Sequence, residues 1–311
     1  MLRVVFMGTP DFAVPSLQAL LNWEDIQVAG VFCQPDRPKG RGNRVEMCPV
    51  KKLALEHGIP VFQPQRIRKD GAEDLNGLHP DLCVTAAFGQ ILSEENLAAP
   101  RMGTVNVHAS LLPKYRGSAP VNWALINGEK ETGVTTMLTD KGLDTGDMLL
   151  KKAVPIPDEI DAGELTALLS QVGAELLIRT IQGLLDGTCR PQPQREEDST
   201  YFPMLKKETG HIDFARPARE IVDLVRGVSP WPGAYALAGE ETLKVWKARA
   251  AEGQKDAIPG TVLRADPQGG LLIQAGDDTA LQVLEMQMPG GKRMRAEDYL
   301  RGHGAAWEKL V

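Results

Sequence analysis

The sequence predicts an α/β protein: a doubly wound, mainly parallel sheet domain followed by a small β-barrel domain. Three observations carry this. From Arg3 to Leu185, short apolar runs alternate with stretches of helical periodicity, the rhythm of strands joined by crossover helices. Leu82–Ala87 is a continuous apolar run, as expected of a parallel strand covered on both faces. Beyond a proline-rich stretch, about five short β-rich runs separated by Gly and Asp turns suggest a barrel.

The elements follow in order. Arg3–Met7 is a strand, and Leu17, Leu20 and Leu21 stripe a helix whose first turn tolerates Pro15. Val28–Cys33 is the second strand. Val50–His57 is a helix stopped by Gly58, with Val61-Phe62 a short strand after it. Leu82–Ala87 and Thr104–His108 are the next strands. Ser118-Ala119-Pro120 starts a helix that ends at Gly128. Val134–Leu138 and Met148–Val154 are two more strands, and leucines from Leu165 to Leu185 mark a long amphipathic helix ending at Gly187. From Thr188 to Pro203 prolines, glutamines and charges take over, which is a linker composition. The chain thus divides into a first domain over 1–188, a linker over 189–206 and a second domain over 207–311. In the last, Ala218–Arg226 is helical. Ala234–Leu237, Thr242–Ala248, Gly260–Arg264, Leu271–Gln274 and Ala280–Met286 are strands.

With 311 residues, the chain can bury sizeable cores without disulfides. No apolar run reaches membrane length and no signal-peptide shape precedes the first strand, so a cytoplasmic protein with no membrane partner is expected. Cys33, Cys48, Cys83 and Cys189 form no zinc pattern, and no metal is expected. The net charge of −6 weighs against nucleic-acid binding unless a local basic patch overrides it.

Asn106-Val107-His108-Ala109-Ser110-Leu111-Leu112-Pro113 carries the chemistry. Thr104, Asn106 and His108 share one strand face, and Val105 and Val107 the other. Side chains two residues apart stand about 6–7 Å apart at the backbone, so Asn106 and His108 can converge on one carbonyl. Their place at the carboxyl end of a strand is where open α/β sheets bind ligands. The amide can donate to a developing oxyanion; a histidinium can donate too and can also move a proton. The bland alternative is a core pair bonded to nearby backbone.

Three loops are further candidates. Met7-Gly8-Thr9-Pro10-Asp11-Phe12 has one glycine where a dinucleotide fingerprint needs three, and Asp11 would repel a pyrophosphate. Asp140-Lys141-Gly142-Leu143-Asp144-Thr145-Gly146-Asp147 lacks the spacing of a calcium loop. It is either a plain turn or a loop that sets a carboxylate against His108. The stretch Gln34–Lys52 holds six Lys/Arg against two acids in an oversized, glycine-rich loop. It is either a solvated loop or a phosphate-contacting arm.

Together these residues resemble the methionyl-tRNA formyltransferase family of the folate-dependent formyltransferases, over essentially the whole chain. The resemblance rests on 6–13, 34–42, 86–92, 106–117, 119–124, 142–147 and 229–234. It implies a Rossmann-like first domain and an OB-like second one. It also implies formyl transfer from 10-formyltetrahydrofolate to the α-amine of methionyl initiator tRNA, for translation initiation. The implied catalytic residues are Asn106, His108 and Asp144. Folate would be held by Ser110, Leu111, Leu112 and Pro113, by the backbone of Phe88, Gly89, Gln90, Ile91 and Leu92, and by Thr139 and Asp140. Arg37, Lys39, Arg41 and Arg44 would meet the acceptor end of the tRNA. No covalent enzyme intermediate is implied, so Ser110 is not a nucleophile.

Residues 207–311 hold 14 Lys/Arg against 15 Asp/Glu, so any tRNA footprint there needs charge segregation. Lys244, Lys247 and Arg249 form one basic cluster and Lys292, Arg293 and Arg295 another; a solvated basic face is the alternative. The competing readings are a related formyltransferase or hydrolase acting on a small amine, and a non-catalytic tRNA-binding protein. A monomer is expected.

Overall fold

The computed structural model describes residues 1–39, 44–304 and 307–311. The first sheet has seven strands. β1 (Leu2–Gly8) leads through a short 3-10 turn into α1 (Val14–Leu21), where Pro15 sits in the first turn. β2 (Ile26–Phe32) is followed by a two-stranded ribbon, β3 (Arg37–Lys39) and β4 (Arg44–Glu46). Then come α2 (Pro49–Glu56), β5 (Val61–Phe62), α3 (Ile67–Asp70), α4 (Ala72–Gly77), β6 (Leu82–Ala86) and α5 (Glu94–Ala98). β7 (Thr104–His108), β8 (Arg116–Gly117), α6 (Pro120–Ile126), β9 (Glu131–Leu138), β10 (Met148–Pro155) and α7 (Ala162–Asp186) complete the run.

The strand order is β10-β9-β7-β6-β1-β2-β5. β7, β6, β1, β2 and β5 run parallel; β9 lies antiparallel to β7, and β10 antiparallel to β9. The mainly parallel sheet read from the sequence is therefore present, with the antiparallel turn-back beginning directly beside β7. Val4, Val5, Phe6 and Met7 are fully buried, as are Leu82, Cys83 and Val84. Phe32 stacks on Phe62 with centroids 4.9 Å apart. The long helix ends at Gly187, whose φ of +75° costs a residue without a Cβ least. The sequence reading passed over α3, α4 and α5, which are short and carry no long apolar stripe.

By contacts the chain forms two compact units. One comprises 1–117, 131–155 and 166–202; the other 118–130, 156–165 and 203–311. The boundary is not a single cut, because α6 and the start of α7 group with the second unit. Residues 189–202, linker-like in composition, are bonded along the first: Gln192 pairs with Met148, and β11 (Tyr201–Phe202) lies parallel to β8.

The second unit is built on α8 (Ala218–Gly227), β12 (Ala234–Ala238), β13 (Glu241–Glu252), β14 (Val262–Asp266), β15 (Gly270–Gln274), β16 (Thr279–Gln287), β17 (Met294–Arg295) and α9 (Ala296–His303). The antiparallel order is β12-β13-β16-β15-β14. Ile221 and Val225 of α8 join Leu243, Val245, Leu271, Ile273, Leu281 and Val283 in one core. Residues 308–311 close the barrel. Val311 exchanges two backbone hydrogen bonds with Leu237 on β12. On the other side Val262 N–H donates to Glu308 O, and Leu310 N–H to Gly260 O. Both open edges are thus covered by one short peptide, which is how a sheet of this size avoids leaving unpaired strand edges. Leu310, 1% exposed, anchors that peptide. Leu310→Ala is expected to cost about 2–5 kcal/mol, read as a loss in the denaturant midpoint of this unit.

Candidate active site

β7 puts its valines and its polar residues to opposite uses. Val105 and Val107 are buried, while Asn106 is half-buried at the carboxyl edge of the sheet. Asn106 Oδ1 accepts a hydrogen bond from Thr85 Oγ1, its register partner on β6, at 2.8 Å. That bond fixes the amide. The oxygen is turned to β6, and no acceptor among the described residues holds Nδ2, which is left to donate.

His108 is 6% exposed. Its Nε2 stands 2.9 Å from the Tyr115 carbonyl oxygen. A carbonyl only accepts, so Nε2 carries a proton. Nδ1 stands 3.6 Å from Asp144 Oδ1, an ion-pair spacing beyond a hydrogen bond. Nδ1 is therefore the nitrogen not yet committed to a short bond. The other carboxylate oxygen, Oδ2, accepts from Gly117 N–H at 2.9 Å. Asn106, His108 and Asp144 are thus brought to one edge, the last from a loop the sequence left open between a plain turn and this role.

The Asp144 loop is tightly built. Asp144 has φ +54°, a strained setting for a residue with a side chain. Asp140 Oδ1 accepts from Gly142 N–H and Thr145 Oγ1. A Cβ on Gly146 would stand 1.8 Å from Leu138 O, so no other residue fits without moving the backbone. Among the described residues no group of three or more His, Cys, Asp or Glu is placed to hold a metal.

Sequence reasoning missed the brace behind this pair. Gln194 Nε2 donates to the carbonyl oxygens of Asp144 and Gly146, both at 2.8 Å. Thr200 Oγ1 accepts from Tyr115 N–H, and Thr200 O from Arg116 N–H, each at 2.9 Å. Phe202 stacks on Tyr115 at 4.9 Å. Buried Arg116 donates to Gln194 Oε1 and Glu196. The segment that reads as a linker holds both the backbone carbonyl that orients His108 and the loop that carries Asp144. Its glutamines were visible in the sequence, but partners 48 to 85 residues away were not.

The residues expected to line a folate site separate into walls and props. Phe88, Leu92 and Leu112 are core residues, Leu112 packing with Met137 and Met148. Ser110 is fully buried and donates to Lys114 O. Gln90 bonds Ile67 N–H and Pro64 O, and Gln34 Nε2 donates to the Phe88 and Gly89 carbonyls. Side chains left for a ligand are Ile91 (65% exposed), Leu111, Pro113, Thr139 and Asp140. Thr139 Oγ1 is buried with no partner among the described residues.

Of the basic arm, Arg37 is exposed; Arg41 lies outside the described residues, and Lys39 and Arg44 are described for the backbone alone. In the second unit Lys244 Nζ and the Arg293 guanidinium lie over Trp246, 5.5 and 5.2 Å from the ring centre. The two basic clusters of the sequence thus meet at one tryptophan. Lys247 pairs with Glu159, and Arg249 is exposed.

The formyl transferase family model matches residues 2–181, and that of the formyl transferase C-terminal domain residues 204–304. The methionyl-tRNA formyltransferase of Caldanaerobacter subterraneus subsp. tengcongensis is 48% identical over 304 residues, covering 97% of each chain. That of Pelobacter propionicus is 51% identical over 300 residues, covering 96% of this chain and 92% of its own. The solved structure of an N-formyltransferase from Helicobacter canadensis, in complex with folinic acid and dTDP-3-aminofucose, superposes with a TM-score of 0.69. It is 20% identical and covers 93% of this chain and 100% of its own, a likeness of fold. Through both domains and nearly its whole length, the chain belongs to the methionyl-tRNA formyltransferase family.

Proposed function

We propose that the protein transfers the formyl group of 10-formyltetrahydrofolate to the α-amine of methionyl initiator tRNA, with Asn106, His108 and Asp144 as the catalytic residues. The observation that carries it is their convergence on one strand edge, with Asn106 Nδ2 and His108 Nδ1 uncommitted and Asp144 opposite the imidazole. The bound folate supplies the formyl carbon. Ile91, Leu111 and Pro113 would give it apolar walls, and Thr139 and Asp140 polar ones. The backbone of Phe88 to Leu92 would also meet it, and the side chains of Phe88, Gln90, Leu92, Ser110 and Leu112 would support these walls.

As the amine nitrogen bonds to the formyl carbon, charge collects on the formyl oxygen. Asn106 Nδ2 and a protonated His108 Nδ1 donate to it. Asp144 Oδ1 faces that nitrogen. The amine proton passes, by way of the Asp144 carboxylate or a water, to the departing N10 as the old C–N bond breaks. Neither a metal nor an enzyme-bound acyl group is required. On this reading 1–188 carries the chemistry and 207–311 contacts the tRNA body, where the cations around Trp246 suit stacking and phosphate. Arg37, Lys39, Arg41 and Arg44 reach the acceptor end.

The decisive assay offers 10-formyltetrahydrofolate with Met-tRNA, charged on initiator or elongator tRNA; absence of formyl-methionine sinks the reading. Asn106→Ala should lower kcat by about 10²–10³, the usual cost of one oxyanion donor, with the KM for folate nearly unchanged. Asp144→Asn keeps a side chain of the same shape but removes the charge opposite His108, and kcat should fall comparably in single-turnover measurements. Arg41→Ala should raise the KM for tRNA while leaving folate affinity intact; equal loss of both would contradict the division of labour.

A further inference from the structure

A concavity opens on the same carboxyl edge. It is a cleft of about 750 Å³ lined by Thr9 after β1, Gln34 after β2 and Gly89–Ile91 after β6. Asn106 on β7 and Gln34 are three strand spacings apart, about 15 Å. Arg37 at the base of the ribbon and Arg66 and Arg68 at the start of α3 also line it. All three arginines are exposed, and among the described residues none of their guanidinium groups pairs with a carboxylate within 4 Å, although the Arg66 backbone N–H donates to Asp70. The acids of the lining do not balance them. Asp36 is already held by Lys51 and by Gln63 Nε2, which leaves Glu46.

Three unpaired guanidiniums around one cleft are a poor arrangement for stability alone, since like charges repel. They become favourable when an anion enters, and Arg presents a fork that fits phosphate oxygens. The cleft shares its Gly89–Ile91 wall with the candidate folate site and its other wall with the basic ribbon. We propose that Arg66 and Arg68, with Arg37, bind backbone phosphates of the single-stranded 3′ end of the tRNA and so guide the esterified amine toward Asn106. This rests on the reading of the substrate given above and adds a binding surface that the ribbon alone does not supply.

The test is steady-state formylation of Met-tRNA by the full chain at several salt concentrations, with Arg66→Ala/Arg68→Ala and, as a control outside the cleft, Lys69→Ala. The double variant should raise the KM for Met-tRNA about tenfold near 0.1 M salt. Its log–log salt slope should be shallower by about 1–2, since each single-strand phosphate contact contributes about 0.7. Saturated kcat and the KM for 10-formyltetrahydrofolate should stay within twofold, which also certifies an intact fold. Unchanged KM and slope in an active enzyme, or an equal effect from Lys69→Ala, would overturn the cleft and leave the formyl-transfer reading standing. A wild-type chain that neither formylates nor retains tRNA overturns both. Weaker inhibition by a nucleoside-diphosphate amino sugar in the double variant, with tRNA kinetics unchanged, would reassign the cleft to a small diphosphate.

Discussion

The His108 ring is held by one hydrogen bond, from its Nε2–H to the carbonyl of Tyr115, and the rest of the site is arranged around it. The bond settles which nitrogen carries the fixed proton. It therefore settles which nitrogen faces Asp144 and the space beside Asn106. It is possible only because Tyr115 adopts φ +60° and turns its carbonyl back toward the strand. A residue with a side chain does not hold that conformation unaided. Thr200 on its N–H and Phe202 on its ring supply the restraint.

The same brace reaches Asp144, whose backbone conformation is also left-handed. Gln194 bonds the carbonyls on either side of Thr145, and Gly117 N–H takes one carboxylate oxygen. Two strained residues from distant loops are thus locked by one strap. Preorganisation of this kind matters because a donor that must reorient during reaction gives up much of its electrostatic advantage. Asn106 is prepared differently, by a side chain on the adjacent strand: Thr85 takes its oxygen and leaves its NH2 outward.

Charge follows a similar division. The chain is acidic overall, yet cations gather in two places: the cleft of Arg37, Arg66 and Arg68, and the surroundings of Trp246, where Arg293 also pairs with Glu285. Net charge describes the long-range field, whereas recognition of a polyanion depends on local segregation.

The sequence by itself determined the main strands of the two sheets, the long helices and the residue types at the edge of β7. Alternation, apolar runs and proline and glycine punctuation are local signals, and they placed Thr104–His108 with both ends correct. It left the acidic loop 140–147 open between a plain turn and a source of a carboxylate for His108, and the family resemblance singled out Asp144. Only the tertiary structure decided the rest. That Leu112 is core, that residues 308–311 close the barrel and that Gln194 and Thr200 brace the site are contacts between residues far apart in the chain. Arg66 and Arg68 are ordinary surface charges in the sequence, and only the fold sets them around one cleft with Arg37. Periodicity reports which face of an element is buried; it carries no information about which other element covers that face.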